Sequence, residues 1–504
     1  MVKSIINHII NVRRSKKTMK KTMKLLFAAF IVVVVVAMAV TSVSAAEAAR
    51  RVDPTTLAPT SDRVIFIKDA PAGGKLSGDG SGYDADNPYI PSDHEGYNPA
   101  DSAPQNHLQT AFYQATEVLG DDGGTIVICG PIHLGLNESY GSGGTTKDVF
   151  TYKWGTKKVI KFTSVYNGVD YRETAGAKIT LETPAEIGVM GSSVWENITI
   201  ETIGTERVIS FGSHPTLIGA GVDTHPADPA YNEVAANYVS LSGGHRYARG
   251  DDQIPTLTVQ SGTYNKVVGG LWGVSIGKEM TNATTYLTLE GTTTVLGAIN
   301  GTIGKNTDFS GHANITINGG KYACDIFGVG PTGMTNTDGT VDLIINGGDF
   351  SEAWSICEAA PSMANNTPAL SILDYSGYTG EKADLARAFA LSLDFDTVKL
   401  PEGVTEAELI ALAGDVMTPE TTAPETKAPE TAETQAATSV VDDKSPAESE
   451  KDKTDANEKD DTVPNEPAEG SNLTLVLIIV IIAAVVVLGG LGVAIIVLLA
   501  KKKK

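Results

Sequence analysis

The amino-acid sequence predicts an all-β fold, a parallel β-helix solenoid built by stacking one repeated unit. Three observations predict it. First, an alternating apolar–polar phrase ending in glycine recurs, as "TLTVQSGTY" from residue 256, "NITINGGKY" from 314 and "DLIINGGDF" from 342. Second, Gly244, Gly262, Gly291, Gly320 and Gly348 are spaced by 18, 29, 29 and 28 residues, and the last three gaps are nearly constant. A period of roughly 20 to 50 residues marks a stacked array. Third, Leu257/Val259, Leu287/Leu289, Ile315/Ile317 and Leu343/Ile345 alternate with polar residues, which puts the apolar side chains on one face of a strand. The glycines turn the chain at a corner. A propeller blade needs about 40 residues or more, and a sandwich would lack the fixed period.

Taken in chain order, residues 1–46 read as a signal peptide. Eight basic residues and no acid precede the apolar run "LLFAAFIVVVVVAMAV" (25–40), and small residues follow. That is the order of an export signal, with cleavage expected between Ala45 and Ala48. A start at Met19 or Met23 would shorten the basic region. An uncleaved N-terminal anchor is the competing reading.

Residues 55–123 are expected to form an N-terminal loop and capping helix. "KLSGDGSGYDADNPY" (75–89) is a Gly/Asp-rich loop. In "HLQTAFYQATEVL" (107–119), Leu108, Ala111, Phe112, Ala115 and Leu119 share one helical face. "DDGGTIVICG" (121–130) reads as a turn and then a buried strand. These three segments, in this order, resemble the start of secreted right-handed parallel β-helix proteins, the pectin-lyase-like superfamily, here in the setting of a bacterial surface protein. The resemblance implies a right-handed coil whose open end the helix covers. It also implies a place to look for chemistry. Enzymes of that superfamily cleave acidic polysaccharides on the outer face of the stacked strands. Lyases use Ca²⁺-binding carboxylates with a basic residue, and hydrolases use grouped aspartates.

The β-helix is expected over 124–375, with less regular units at 158–165, 177–183, 196–202 and 208–221. A C-terminal helical cap follows over 376–416. "TGEKADLARAFALSL" (379–393) has a helical pattern, and Thr405 with Glu408 forms a capping box for a second helix. Residues 417–471 repeat Pro-Glu-Thr and then become acidic, with 15 acids against 5 lysines over 418–471. Such a segment cannot bury enough apolar surface to order itself and reads as a disordered stalk. Residues 472–500 read as one transmembrane helix, since 473–500 carry no charge over 28 residues. The lysines 501–504 form a basic tail expected on the cytoplasmic side. No Leu-Pro-x-Thr-Gly-like motif precedes the apolar run.

The formal charge is −21. Without the eight basic residues of 1–46 and the four terminal lysines, the exported part carries about −33. That surface repels nucleic acid and anionic lipid and is compatible with cations and with neutral or basic partners. Three cysteines, Cys129, Cys324 and Cys357, cannot form a dense disulfide framework. Cys129 reads as a small buried hydrophobe, and a Cys324–Cys357 bond stays open.

Candidate site residues fall where the repeat breaks. "GGHRYARGDDQ" (243–253) offers His245, Arg246, Arg249, Asp251 and Asp252 for contact with carbohydrate or a partner, and it contains Arg-Gly-Asp. A solvated insertion is the plainer reading. Trp272 is a candidate sugar-stacking platform, whereas Trp354 shares the phase of Ile326 and Val268 and is expected in the core. "NTDG" (336–339) resembles a galacturonan-hydrolase motif, but the Asp-Asp pair and Gly-His-Gly that should follow do not, so Asp338 reads as a turn residue. His214, Asp223, His225 and Asp228 are usable metal ligands without a compact spacing. Asn137, Asn197, Asn282, Asn300 and Asn314 stand in glycosylation sequons.

No complete lyase or hydrolase motif is present, so no catalytic residue is assigned. No cofactor is expected, with Ca²⁺ left open. The expected protein is a single-pass cell-membrane protein with an extracellular β-helix. It would bind extracellular polysaccharide or act as an adhesin. A polysaccharide lyase or hydrolase, and a structural spacer, are the alternatives.

Overall fold

The computed structural model describes residues 51–68, 81–89, 118–134, 152–181, 186–205, 207–244, 254–271, 284–302, 311–330, 339–360 and 367–416. These described residues belong to one compact unit. The expected signal peptide, most of the capping helix, the stalk and the span lie outside the described residues. No helix among the described residues is long and apolar enough to cross a membrane.

The chain is mainly β, with long all-parallel sheets in a β-helix-like stack. Nineteen strands of the described residues join in one sheet that runs along two sides of the stack. The first side, ladder A, begins at Val64–Ile67, pairs parallel with Gly124–Ile128, and ends at Thr397–Lys399. It therefore starts before the repeat becomes legible. In its regular part Leu257, Leu287, Ile315, Leu343, Leu373 and Val398 stand in register. The first five are at most 1% exposed. The second side, ladder B, carries Ile187, Ile209, Leu241, Val267, Ile299, Ile326 and Ile356 in register. A four-stranded ladder C, from Pro131–Leu134 to Asp223–Pro226, closes a third side in the N-terminal half.

Each rung carries β-branched and aromatic residues, which suit a pleated, half-buried surface. Inward residues stack on their equivalents one rung away. Phe162 stacks on Trp195 with centroids 4.5 Å apart, and Tyr322 on Phe350 at 5.3 Å. The buried Trp195 indole donates to Ser193 Oγ at 3.1 Å, so its polar atom is satisfied inside the core.

The corner glycines have a physical reason. Gly262, Gly291, Gly320 and Gly348 have φ of 95°, 63°, 101° and 129°, a region that side chains disfavour. A Cβ on Gly291 would also lie 2.3 Å from the Gln260 carbonyl oxygen one rung below. Gly244 does not belong to this series. It ends the ladder B strand Ser240–Gly244, and the corner before Gly262 is Gly221, with φ 73°. The intervening coil is longer because it holds the ladder C strand Asp223–Pro226 and two 3-10 turns.

Two phase assignments change. Val267, not Val268, aligns with Ile326, and the residue that aligns with Ile326 in the next rung is Ile356. Trp354 is 63% exposed, not core. Six residues separate Phe350 from Ile356, but only four separate Tyr322 from Ile326. The two extra residues form a turn begun by Asp349, which accepts from Ser351 N–H at 2.9 Å. Trp354 is thereby left outside the rung. The cysteines are all free and buried, which removes the Cys324–Cys357 bond.

At the C-terminal end, helices Lys382–Ala390 and Glu406–Val416 bury Leu385, Ala386, Ala388, Leu409 and Ala413 against the same core. The capping box is formed. Glu408 N–H donates to Thr405 Oγ1 at 3.3 Å, and Thr405 N–H donates to Glu408 Oε2 at 3.0 Å.

Candidate functional site

The residues singled out in the sequence, His245, Arg246, Arg249, Asp251, Asp252 and Trp272, lie outside the described residues, as does Asp338. The described residues just before them, Gly244 and Leu271, are register partners on adjacent ladder B strands.

The four metal-ligand candidates do not converge. Asp228 caps a 3-10 turn by accepting from Ala230 N–H at 2.9 Å. His225 Nε2 lies 3.6 Å from Asp223 Oδ2 on ladder C, while His214 is buried at 4% exposure before Thr216 of ladder A. Among the described residues, no group of three or more His, Cys, Asp or Glu side chains is placed to hold a metal ion. Of the sequons, Asn300 is 1% exposed, so the folded chain hides that amide from any modifying enzyme.

The residues of the outer face of ladder A are not among those singled out in the sequence. Their signal lies in the polar positions of the repeated phrase, not in its apolar ones. In "TTYLTLE", "HANITIN" and "TVDLIIN", alternate residues point outward. Three rows result. Thr284, His312, Thr340 and Leu370 share one register position; Tyr286, Asn314, Asp342 and Ile372 the next outward one; Thr288, Thr316, Ile344 and Asp374 the third. Strands in such a ladder are about 4.8 Å apart, so each row is a column of side chains along the stack.

The rows are cross-linked. His312 Nδ1 is hydrogen-bonded to the Thr340 hydroxyl, and its Nε2 lies 3.2 Å from Asp342 Oδ2. Both side chains of the His312–Asp342 pair are about one-third exposed, so the imidazole is held yet reachable. Just past the strands runs a fourth, amide-rich column. Gln260 Nε2 donates to Glu290 Oε1 at 2.9 Å, Asn318 Nδ2 to Glu290 Oε2 at 3.3 Å, and Asn346 Nδ2 to Asn318 Oδ1 at 2.9 Å.

The face is bounded. The arm around Pro54–Thr56 packs against Thr216–Ile218 and Thr256–Val259. Pro54 is buried, and the outward Thr256 and Thr258 are 2% and 3% exposed beneath the arm's path. Arg51 reaches past it, with its guanidinium carbon 4.3 Å from the Tyr286 ring centroid, a cation–π contact. At the far end Leu370 is 45% exposed, and Lys399 Nζ lies 3.1 Å from Asp374 Oδ2.

A second polar group sits inside the stack. Glu358 is 7% exposed, and its carboxylate accepts from the Ser371 hydroxyl. Ser371 N–H donates to Asp396 Oδ2 at 2.8 Å, and Asp396 N–H donates to Ser371 Oγ at 3.0 Å. Burial, reinforced by Asp396 and Asp394, raises the Glu358 carboxyl above its ordinary range. The position explains the burial. In the preceding rung Gly328 packs against the Glu358 carbonyl, where any side chain would collide with Val341.

No protein-family model matches the chain, and no curated protein or solved structure matches it either. Among the described residues, the fold and site define a class: a parallel, β-helix-like stack with a polar outer face. The particular role rests on the chemistry of that face.

Proposed function

We propose that this chain is a single-pass cell-surface protein whose right-handed, pectin-lyase-like β-helix binds extracellular polysaccharide through the open outer face of ladder A. The observation that carries the reading is the column Tyr286–Asn314–Asp342 beside the amide-rich column Gln260–Glu290–Asn318–Asn346. A glycan needs many hydroxyl donors and acceptors satisfied at once. This face offers amides, carboxylates, hydroxyls and an imidazole at fixed spacing. The export signal, acidic stalk, apolar run and lysine tail of the sequence supply the surface setting.

The test is to apply the full chain, in detergent, to a polysaccharide panel with and without Ca²⁺. Retention on at least one glycan is expected, weakened by Tyr286→Ala. No retention on any glycan overturns the binding reading. Release of unsaturated or reducing ends favours the enzymatic alternative, in which the His312–Thr340–Asp342 contact would be the first place to look.

A further inference from the structure

We infer that the ligand is an uncharged, extended β-linked glycan of about four sugar units, laid along the stack and across the strands. This rests on the polysaccharide reading above and adds charge class, length and direction to it.

Charge comes first. Holding a uronate or sulfate requires a cation with donors to spare, most often Arg or Lys. Among the described residues every cation at this face already faces an acid or a ring. Arg51 lies over Tyr286, His312 faces Asp342, and Lys399 faces Asp374. Farther along ladder A, Lys161 Nζ is 2.5 Å from Glu196. Asp342 stands in the central column, and Glu290 is the acceptor hub of the column beside it. A polyanion would set carboxylate against carboxylate on a chain of formal charge −21. Sugar hydroxyls, in contrast, donate to those same carboxylates in charge-assisted bonds.

Direction follows from register. Side chains along one strand alternate faces, so an outward neighbour is two residues away. Across the rungs, equivalent positions recur about every 4.8 Å, close to the length of one pyranose unit in an extended β-linked chain. A glycan laid along the stack meets Tyr286, Asn314, Asp342 and Ile372 in turn, one per rung. Length follows from the ends. Arg51 and the arm stop the face beyond Tyr286, and past Ile372 only the exposed Thr397 remains in the column before the ladder ends. At the far end Ile372 gives apolar surface for a sugar face, at the near end Arg51 covers the Tyr286 ring, and Asn314 and Asp342 give the middle its hydrogen bonds.

The experiment uses the full chain in detergent and calorimetric titration with cello-oligosaccharides of one to six units, against oligogalacturonides of matched length. Affinity for the neutral series should rise to about four units and then level off. The oligogalacturonides should bind at least roughly tenfold more weakly. Asp342→Asn, which keeps the side-chain shape, should weaken the neutral tetramer by roughly tenfold, the loss of a charge-assisted acceptor. Thr316→Lys, outward and half-buried, should narrow that preference by adding a cation to the face. Tighter binding of the oligogalacturonides, or neutral affinity that stops rising at two units, overturns the inference while the polysaccharide reading stands. Neutral binding insensitive to Asp342→Asn, or a preference unmoved by Thr316→Lys, overturns it as well. If neither series nor any glycan of the wider panel binds, both fall.

Discussion

Replacing Phe350 with alanine should unfold the C-terminal rungs first. The ring is 1% exposed and stacks on Tyr322 at 5.3 Å and 27°. A buried aromatic removes about 150–250 Å² from water. At about 25 cal/mol per Å² this gives about 4–6 kcal/mol, an upper bound because the unfolded chain already hides some surface. Phe→Ala substitutions in cores cost about 3–5 kcal/mol, so about 4 kcal/mol is the expected loss. In a stack each rung touches chiefly its neighbours, so the damage should be local. Hydrogen exchange on the full chain should show lost protection in the strands Thr340–Ile345, Ser355–Ala359 and Leu370–Asp374, with Gly124–Ile128 and Lys178–Leu181 nearly unchanged. The comparison is Trp354→Ala, four residues on. Trp354 is 63% exposed, and its loss should stay within about 0.5 kcal/mol. Equal costs for the two variants, or protection lost evenly along the stack, would refute both the phase assignment and the rung-by-rung reasoning.

Three further outcomes are expected. Glu358→Gln mimics the protonated acid. Because the folded-state carboxyl is raised, its contribution is full below the unfolded value of about 4.3 and is lost as pH rises through the folded value. The variant should therefore match the parent in acid and exceed it in denaturant midpoint at neutral pH; a difference independent of pH would refute this. Gly291→Ala combines φ 63° with a 2.3 Å approach to Gln260 O and should cost well over the penalty of about 1–2 kcal/mol for left-handed backbone alone. Gly403→Ala, at φ 78° with nothing within 4 Å, should cost only that penalty, both variants being measured by urea titration. Native protein should leave all three thiols unreactive to a disulfide reagent until unfolded, since Cys129, Cys324 and Cys357 are buried and burial lifts each thiol, Cys129 to about 11.

How much was legible can be read from particular residues. Leu257, Leu287, Ile315 and Leu343 announced themselves by alternation, because inward positions must be apolar in every rung. The corner glycines did so because few residues adopt their φ. The capping box at Thr405 was equally local. The first rung, Val64–Ile67, was not legible, because one short apolar strand has no repeat around it. Trp354 reads as core by period alone because a two-residue turn is invisible to a period count.

The sequence by itself thus determined the repeat, the inward face and the parallel stacking it implies, since side-chain alternation and backbone geometry are properties of a single rung. Only the tertiary structure decided which outward residues meet. His312, Thr340 and Asp342 are 28 and 30 positions apart in the chain, and register alone puts them in contact. A register is a relation between rungs, set by turns and insertions spread along the whole coil. The open polar face, with its arm at one end and its closing rung at the other, exists only once that relation is fixed.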